Sequence, residues 1–232
     1  MFDTDREYNM FLESFEFYKL FSNKEQVIFK NGCRLLHANS NESIYSSNKS
    51  RSYIYYLIEG RLTLMKQFHS NQPRISDIVT EKNFFGLGMM GKEREIIETA
   101  KSATESVYVK ISIKTIQTLM NENNDFSIFM FNQVLNKSIK IESYFENICF
   151  SESVKSRVLL FLIDFANKYG ENVGDEIMLK LELRHHEIAE YIFTSRQTVT
   201  QVLNDLKREN LIYFDREKVL IRDLEKLIRQ TH

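Results

Sequence analysis

Between residues 193 and 210 the sequence reads FTSRQTVTQVLNDLKREN, and its residue types sort by spacing. Val199, Val202, Leu203 and Leu206 recur three or four apart, the geometry of one helix face. The opposite face carries Arg196, Gln197, Thr200, Gln201 and Asn204, with Lys207 and Arg208 beyond. An Arg guanidinium can hold O6 and N7 of guanine through two parallel N–H donors, and a Gln or Asn amide can hold adenine in the same way. Ser, Thr and Lys at the edges bind phosphate, which positions a helix without reading sequence. By position, Arg196, Gln197 and Gln201 point toward bases, while Ser195, Thr200 and Asn204 stay open between bases and backbone. Lys207 goes to backbone or solvent. The same spacing also suits the solvated face of an ordinary helical hairpin. What separates the two readings is that no acid falls on the exposed face from Ser195 through Asn204. Thr194 with Gln197 fits a capping box and Ser195 is an alternative cap; either starts the helix at Arg196, with backbone donors facing outward as a seat for phosphate.

Other chemistry is sparse. Cys33 and His37 stand at metal-like spacing without a second pair, and His185-His186 open a short helix without a partner cluster. No phosphate loop, nucleophile elbow or useful carboxylate pair appears, so catalytic residues, metal and cofactor are all expected to be none and the chain is not read as an enzyme. Two distant cysteines suit a reducing compartment. The acidic N-terminus and the lack of a long apolar run give a cytoplasmic expectation, with no membrane partner.

Net charge argues against the nucleic-acid reading. The chain totals −1, and from Ser151 onward 13 Lys and Arg face 14 Asp and Glu. A local arrangement must therefore carry it.

The elements that would position this face follow from periodicity. Phe11, Phe15 and Tyr18 predict a short helix over residues 8 to 21, and from about Val27 to Lys110 short apolar runs broken by polar turns predict antiparallel sheet. SYIYYLIEGRLTLMKQF carries a turn at Glu59-Gly60, and further runs lie at Ile75 to Val79, Phe84 to Leu87, Ile96-Ile97 and Val107 to Ile111. Helical spacing returns at Ile113. A long helix follows from Asp125 to Phe150, in which Met130 or Phe131, Val134, Ser138, Ile141, Phe145 and Ile148 recur at alternating steps of three and four, a seam against a second copy or an internal strut. After Ser151 come a helix to Tyr169, a strand from Ile177 to Leu183, helices over 185–193 and 195–209, and a hairpin of Leu211 to Phe214 with Val219 to Ile221. Two helices around a short turn, then a hairpin, is the winged helix-turn-helix order.

YYLIEGRLTLMK, the long helix, SVKSRVLLFLIDFANKYG and LELRHHEIAEYIFTSRQTVTQVLNDLKRENLI together resemble the Crp/Fnr family of bacterial transcription regulators over nearly the whole chain. The resemblance implies an α+β fold: a cyclic-nucleotide-binding-like β-sandwich or jelly roll over 1–120, a dimerisation helix over 121–150 and a winged helix-turn-helix over 151–232. It also implies a homodimer on a partly palindromic promoter site of double-stranded DNA, with RNA polymerase as a further partner. Arg196 matches the arginine that reads guanine. Gln197 stands where the family has a glutamate and Gln201 where it often has a second arginine, which points to more A·T pairs in the site. Phe193 replaces a glycine common in the turn, which implies a local alteration there.

The sensory half departs from the pattern. Gly86-Leu87-Gly88 lacks the glutamate of cyclic-nucleotide binders, and if Arg94 is aligned with the phosphate arginine, Glu95 takes the place of a serine. A carboxylate beside a phosphate repels it, so the effector, if one exists, is expected to be a small molecule other than a cyclic nucleotide. Tyr53, Tyr55, Met65 and Arg94 would surround its pocket; core and rim is the competing role for the tyrosines and Met65. A competing function is a ligand-sensing or protein-interaction module that keeps the fold and has lost specific DNA binding.

Overall fold

The computed structural model describes residue 12 and residues 15–46, 52–67, 73–91, 98–151, 153–179, 183–215 and 218–231. The chain forms two compact units, Met1–Ile139 and Lys140–His232. Phe11, Arg94, Glu95 and Ile96-Ile97, all invoked from sequence, lie outside the described residues, as do Arg216 and Glu217 between the hairpin strands.

The first unit is a β-sandwich of two antiparallel four-stranded sheets. One has the order β1 (Cys33–Ala38), β8 (Ser106–Ser112), β3 (Tyr53–Glu59), β6 (Asn83–Phe85); the other has β2 (Ser43–Tyr45), β7 (Glu98–Ser102), β4 (Leu62–Lys66), β5 (Arg74–Val79). Gly60 joins β3 to β4 at φ 90°, where a Cβ would stand 2.4 Å from the Glu105 carbonyl oxygen, so the turn requires glycine. Alternation along β3 sends Tyr55 and Leu57 between the sheets and Ile54 and Tyr56 to the outer face of their sheet. On that outer face a second core forms around Phe17, Phe21, Phe29 and Phe126, with Ile116 and Leu119 from α2 (Ile113–Glu122).

Three expectations are corrected here. Glu16–Leu20 is a 3₁₀ turn bracketed by extended Phe15 and Phe21, a form in which Phe15, Phe17, Tyr18 and Phe21 all reach the core. The stretch through Val27 is not sheet: α1 spans Asn23–Gly32, started by a capping box in which the Glu25 carboxylate accepts from the Ser22 N–H at 2.7 Å. The run from Phe84 to Leu87 ends as strand at Phe85, because Gly86 turns left-handed and a 3₁₀ turn follows over Leu87–Met90.

The long helix, α3, runs Asn124–Cys149. Asn123 accepts the Phe126 N–H at 2.8 Å to begin it, and the boundary between the two units falls inside it. In the second unit α4 (Val154–Tyr169), capped by Ser153, packs with α5 (His185–Tyr191), α6 (Arg196–Arg208) and α7 (Leu224–Arg229). Its sheet has the order β11 (Ile212–Phe214), β12 (Val219–Ile221), β10 (Glu176–Leu179), β9 (Glu171–Val173). Of these, β9 carries a single apolar residue, Val173, and α7 is only six residues long, too short to show in the sequence pattern.

Candidate nucleic-acid interface

Helices α5 and α6 meet through Ile188, Ala189 and Ile192 on one side and Val199, Val202, Leu203 and Leu206 on the other, all buried. Ala189 is small where the helices cross, and its carbonyl accepts the Thr194 N–H at 2.9 Å to close the turn. Phe193 sits in that turn at φ 55°. The geometry that glycine adopts without cost is therefore kept rather than altered, at an expense of ~1–2 kcal/mol for a residue with a Cβ. Of the two candidate caps, Ser195 does the work, accepting the Thr198 N–H at 3.1 Å.

Burying one face of α6 forces the other outward. Ser195, Arg196, Gln197, Thr200, Gln201, Asn204 and Arg208 line one concave surface, and no acidic side chain is among them. Asp205 lies beside this row and is paired with Arg208. Lys207 is exposed, and its ammonium sits 4.6 Å from the Tyr213 ring centroid and 5.2 Å from that of Phe214, on the wing strand β11. The ring faces attract the cation at this solvent-exposed position, and Arg208 lines the rim of the row. Sequence spacing missed His185. Its Nδ1 lies 2.9 Å from Thr200 Oγ1, its ring meets Phe214 edge-on at 5.6 Å, and burial followed by the charge of Arg196 pushes it below the usual histidine range.

The residues assigned to a dimer seam divide. Val134, Ile141 and Phe145 are exposed together with Ser138, and Phe131, Ile128, Leu135 and Ile139 widen the same apolar face; Phe131 is 64% exposed and Phe145 61%. Met130 is 1% exposed and belongs to the aromatic core of the first unit, so of the pair Met130 or Phe131 only Phe131 is available. Ile148 is half-buried and lines a crevice with Tyr144, Phe161 and Tyr191. There the Tyr144 hydroxyl donates to the Tyr191 carbonyl at 2.5 Å, satisfying an acceptor at the end of α5 that the helix itself leaves open.

The residues assigned to an effector pocket do not form a cage among the described residues. Tyr55 is buried in a stack with Tyr45 at 5.1 Å and Phe85 at 5.1 Å, ring planes within 22° of parallel. Tyr53 carries the Lys110 ammonium over its ring at 3.9 Å, and Met65 is half-buried on β4. Beside the stack the Tyr45 hydroxyl donates to buried Glu98 at 2.6 Å; burial first, then the Glu98 charge, hold Tyr45 protonated well above the usual phenol range. The described residues include no group of three or more His, Cys, Asp or Glu placed to hold a metal, and no helix long and apolar enough to cross a membrane.

Two family models match the chain: a cyclic nucleotide-binding domain over residues 35–123 and a Crp-like helix-turn-helix domain over 156–230. A global nitrogen regulator from a Nostoc species is 23% identical over 192 residues, covering 82% of this chain and 86% of that protein. A CRP-like cAMP-activated global transcriptional regulator from Mycobacterium tuberculosis is 20% identical, covering 82% and 84%. Among solved structures, a mutant of CooA from Carboxydothermus hydrogenoformans superposes with a TM-score of 0.76 at 21% identity, covering 100% of this chain and 98% of that one.

Proposed function

The chain belongs to the Crp/Fnr family of DNA-binding transcription regulators, and from that membership we propose that it acts as a homodimer that reads a partly palindromic promoter site through α6. The observation that carries this reading is the acid-free row of Arg196, Gln197, Gln201, Asn204 and Arg208 along one concave surface, opposite a fully buried apolar face. Arg196 takes guanine O6 and N7; Gln197 and Gln201 take adenine. Ser195 and the first backbone N–H groups of α6 hold a phosphate, and Arg208 approaches the backbone at the far end.

The exposed apolar face of α3 supports the homodimer. Leaving Phe131, Val134, Ile141 and Phe145 in water is unfavourable, and a second copy covers them symmetrically. Two α6 helices then enter successive major-groove faces about 34 Å apart. Linking two weak half-sites multiplies affinity by roughly 10²–10⁴ without new contacts, which answers the near-neutral charge of the second unit. RNA polymerase is the partner at the promoter, and the setting is the cytoplasm. The proposed effector is a small molecule other than a cyclic nucleotide, because the sequence sets the Glu95 carboxylate beside Arg94, where it would repel a phosphate.

Selection from a randomised duplex pool, followed by binding across a salt series, tests this. The expected result is a two-fold symmetric motif with a G·C pair in each half, bound with a log–log salt slope of about −0.9 per phosphate contacted. Equal binding of selected and random duplexes would contradict it and favour a module that has lost DNA recognition.

A further inference from the structure

Thr200 is half-buried within the concave row, and its hydroxyl is already committed. Oγ1 donates to the Arg196 carbonyl at 2.9 Å, one turn back along α6. A hydroxyl has one proton, so the 2.9 Å contact with His185 Nδ1 requires the imidazole to donate and Oγ1 to accept. His185 is held in turn by the edge of Phe214, and its neutral form, with the proton on Nδ1, satisfies this arrangement. With its hydroxyl held by two partners, the group Thr200 retains for the concave surface is its γ-methyl.

From this geometry we infer that His185 is a positioning residue for base selection: by holding the Thr200 hydroxyl inward it presents the Thr200 methyl to the major groove, against the 5-methyl of a thymine. The inference rests on the proposed reading of α6 and adds a contact to it. The thymine methyl is the one apolar feature of the major-groove edge, and an alkyl group is the partner that recognises it. Thr200 lies one turn after Arg196 and directly before Gln201, so this thymine belongs to the half-site those residues read.

The test uses the full-length protein and a duplex enriched from a randomised pool, with each thymine replaced in turn by deoxyuridine, which pairs identically and lacks the 5-methyl group. One thymine per half-site is expected to show the effect, with binding weakened roughly fourfold per half-site, the factor that ~0.8 kcal/mol for one buried carbon produces. Thr200→Ser keeps both hydrogen bonds and loses the methyl, so it should bind both duplexes equally. Thr200→Val keeps methyl groups and should retain the preference. His185→Ala removes one of the two partners that hold the Thr200 hydroxyl, and the thymine-to-deoxyuridine ratio should fall, a change that general loosening of the fold would not single out. No sensitive thymine, or the same ratio in Thr200→Ser as in the unaltered protein, overturns the methyl contact. An unchanged ratio in His185→Ala overturns the positioning role. Failure to enrich any duplex would instead sink the reading of α6 as a DNA-binding helix.

Discussion

The two compact units dispose of their polar groups in opposite ways. In the sandwich, Tyr45 and Glu98 satisfy each other in the interior, and Tyr45, Tyr55 and Phe85 stack to close the space between the sheets. In the winged unit the interior is aliphatic around α6, and Arg196, Gln197, Gln201 and Asn204 face out along one surface. Recognition falls to the second arrangement: an outward row of donors and acceptors can bind, whereas an inward pair is spent on holding the fold together.

That contrast can be broken or sharpened at several points. The largest effect is expected from Ile141→Asp, which places a charge in the exposed apolar face of α3. Sedimentation should report monomers, and affinity for an enriched duplex should fall by roughly 10²–10⁴ as the linked second half-site is lost. An intact dimer would show that a different surface pairs. Phe85→Ala opens the aromatic layer of the sandwich and should lower stability by ~3–5 kcal/mol in denaturant titration, while the base preference of whatever remains folded stays the same. Tyr144→Phe removes one donor from the Tyr191 carbonyl and should cost about 1 kcal/mol, read as a small shift in the unfolding midpoint.

The smallest effect is a pH dependence at His185, whose folded pKa lies below its unfolded value because of burial and then Arg196. Above the unfolded value, near 6.5, both states are neutral and the stability is fully present. As pH falls from there toward the folded pKa, the unfolded chain binds the proton first and stability declines. His185→Gln should flatten that segment of a stability–pH curve; an identical decline in the variant would assign it to other groups.

How legible each part was depended on whether the signal was local. The limits of α6 could be read because Val199, Val202, Leu203 and Leu206 fix its period and a serine precedes it. Helix α1 was hidden by Val27-Ile28-Phe29, which looks like strand, although Ser22 and Glu25 spell its capping box. On α3, apolar residues around much of the circumference allow two registers, and only the packing of Phe126 against the sandwich helices decides that Met130 turns inward. His185 was beyond local reading, since its direction is set by Phe214, which reaches it through tertiary structure.

In the proposed complex Arg196 reads a base rather than merely adding charge. The direct test is a comparison of the unaltered protein with Arg196→Ala on duplexes carrying every single base-pair change in the enriched site, at one fixed salt concentration. Preference is expected to disappear at one symmetric pair of G·C positions, at a cost of ~1–3 kcal/mol there, and to persist at the others. A uniform loss across all positions, or an unchanged preference at every one, would contradict base reading by Arg196.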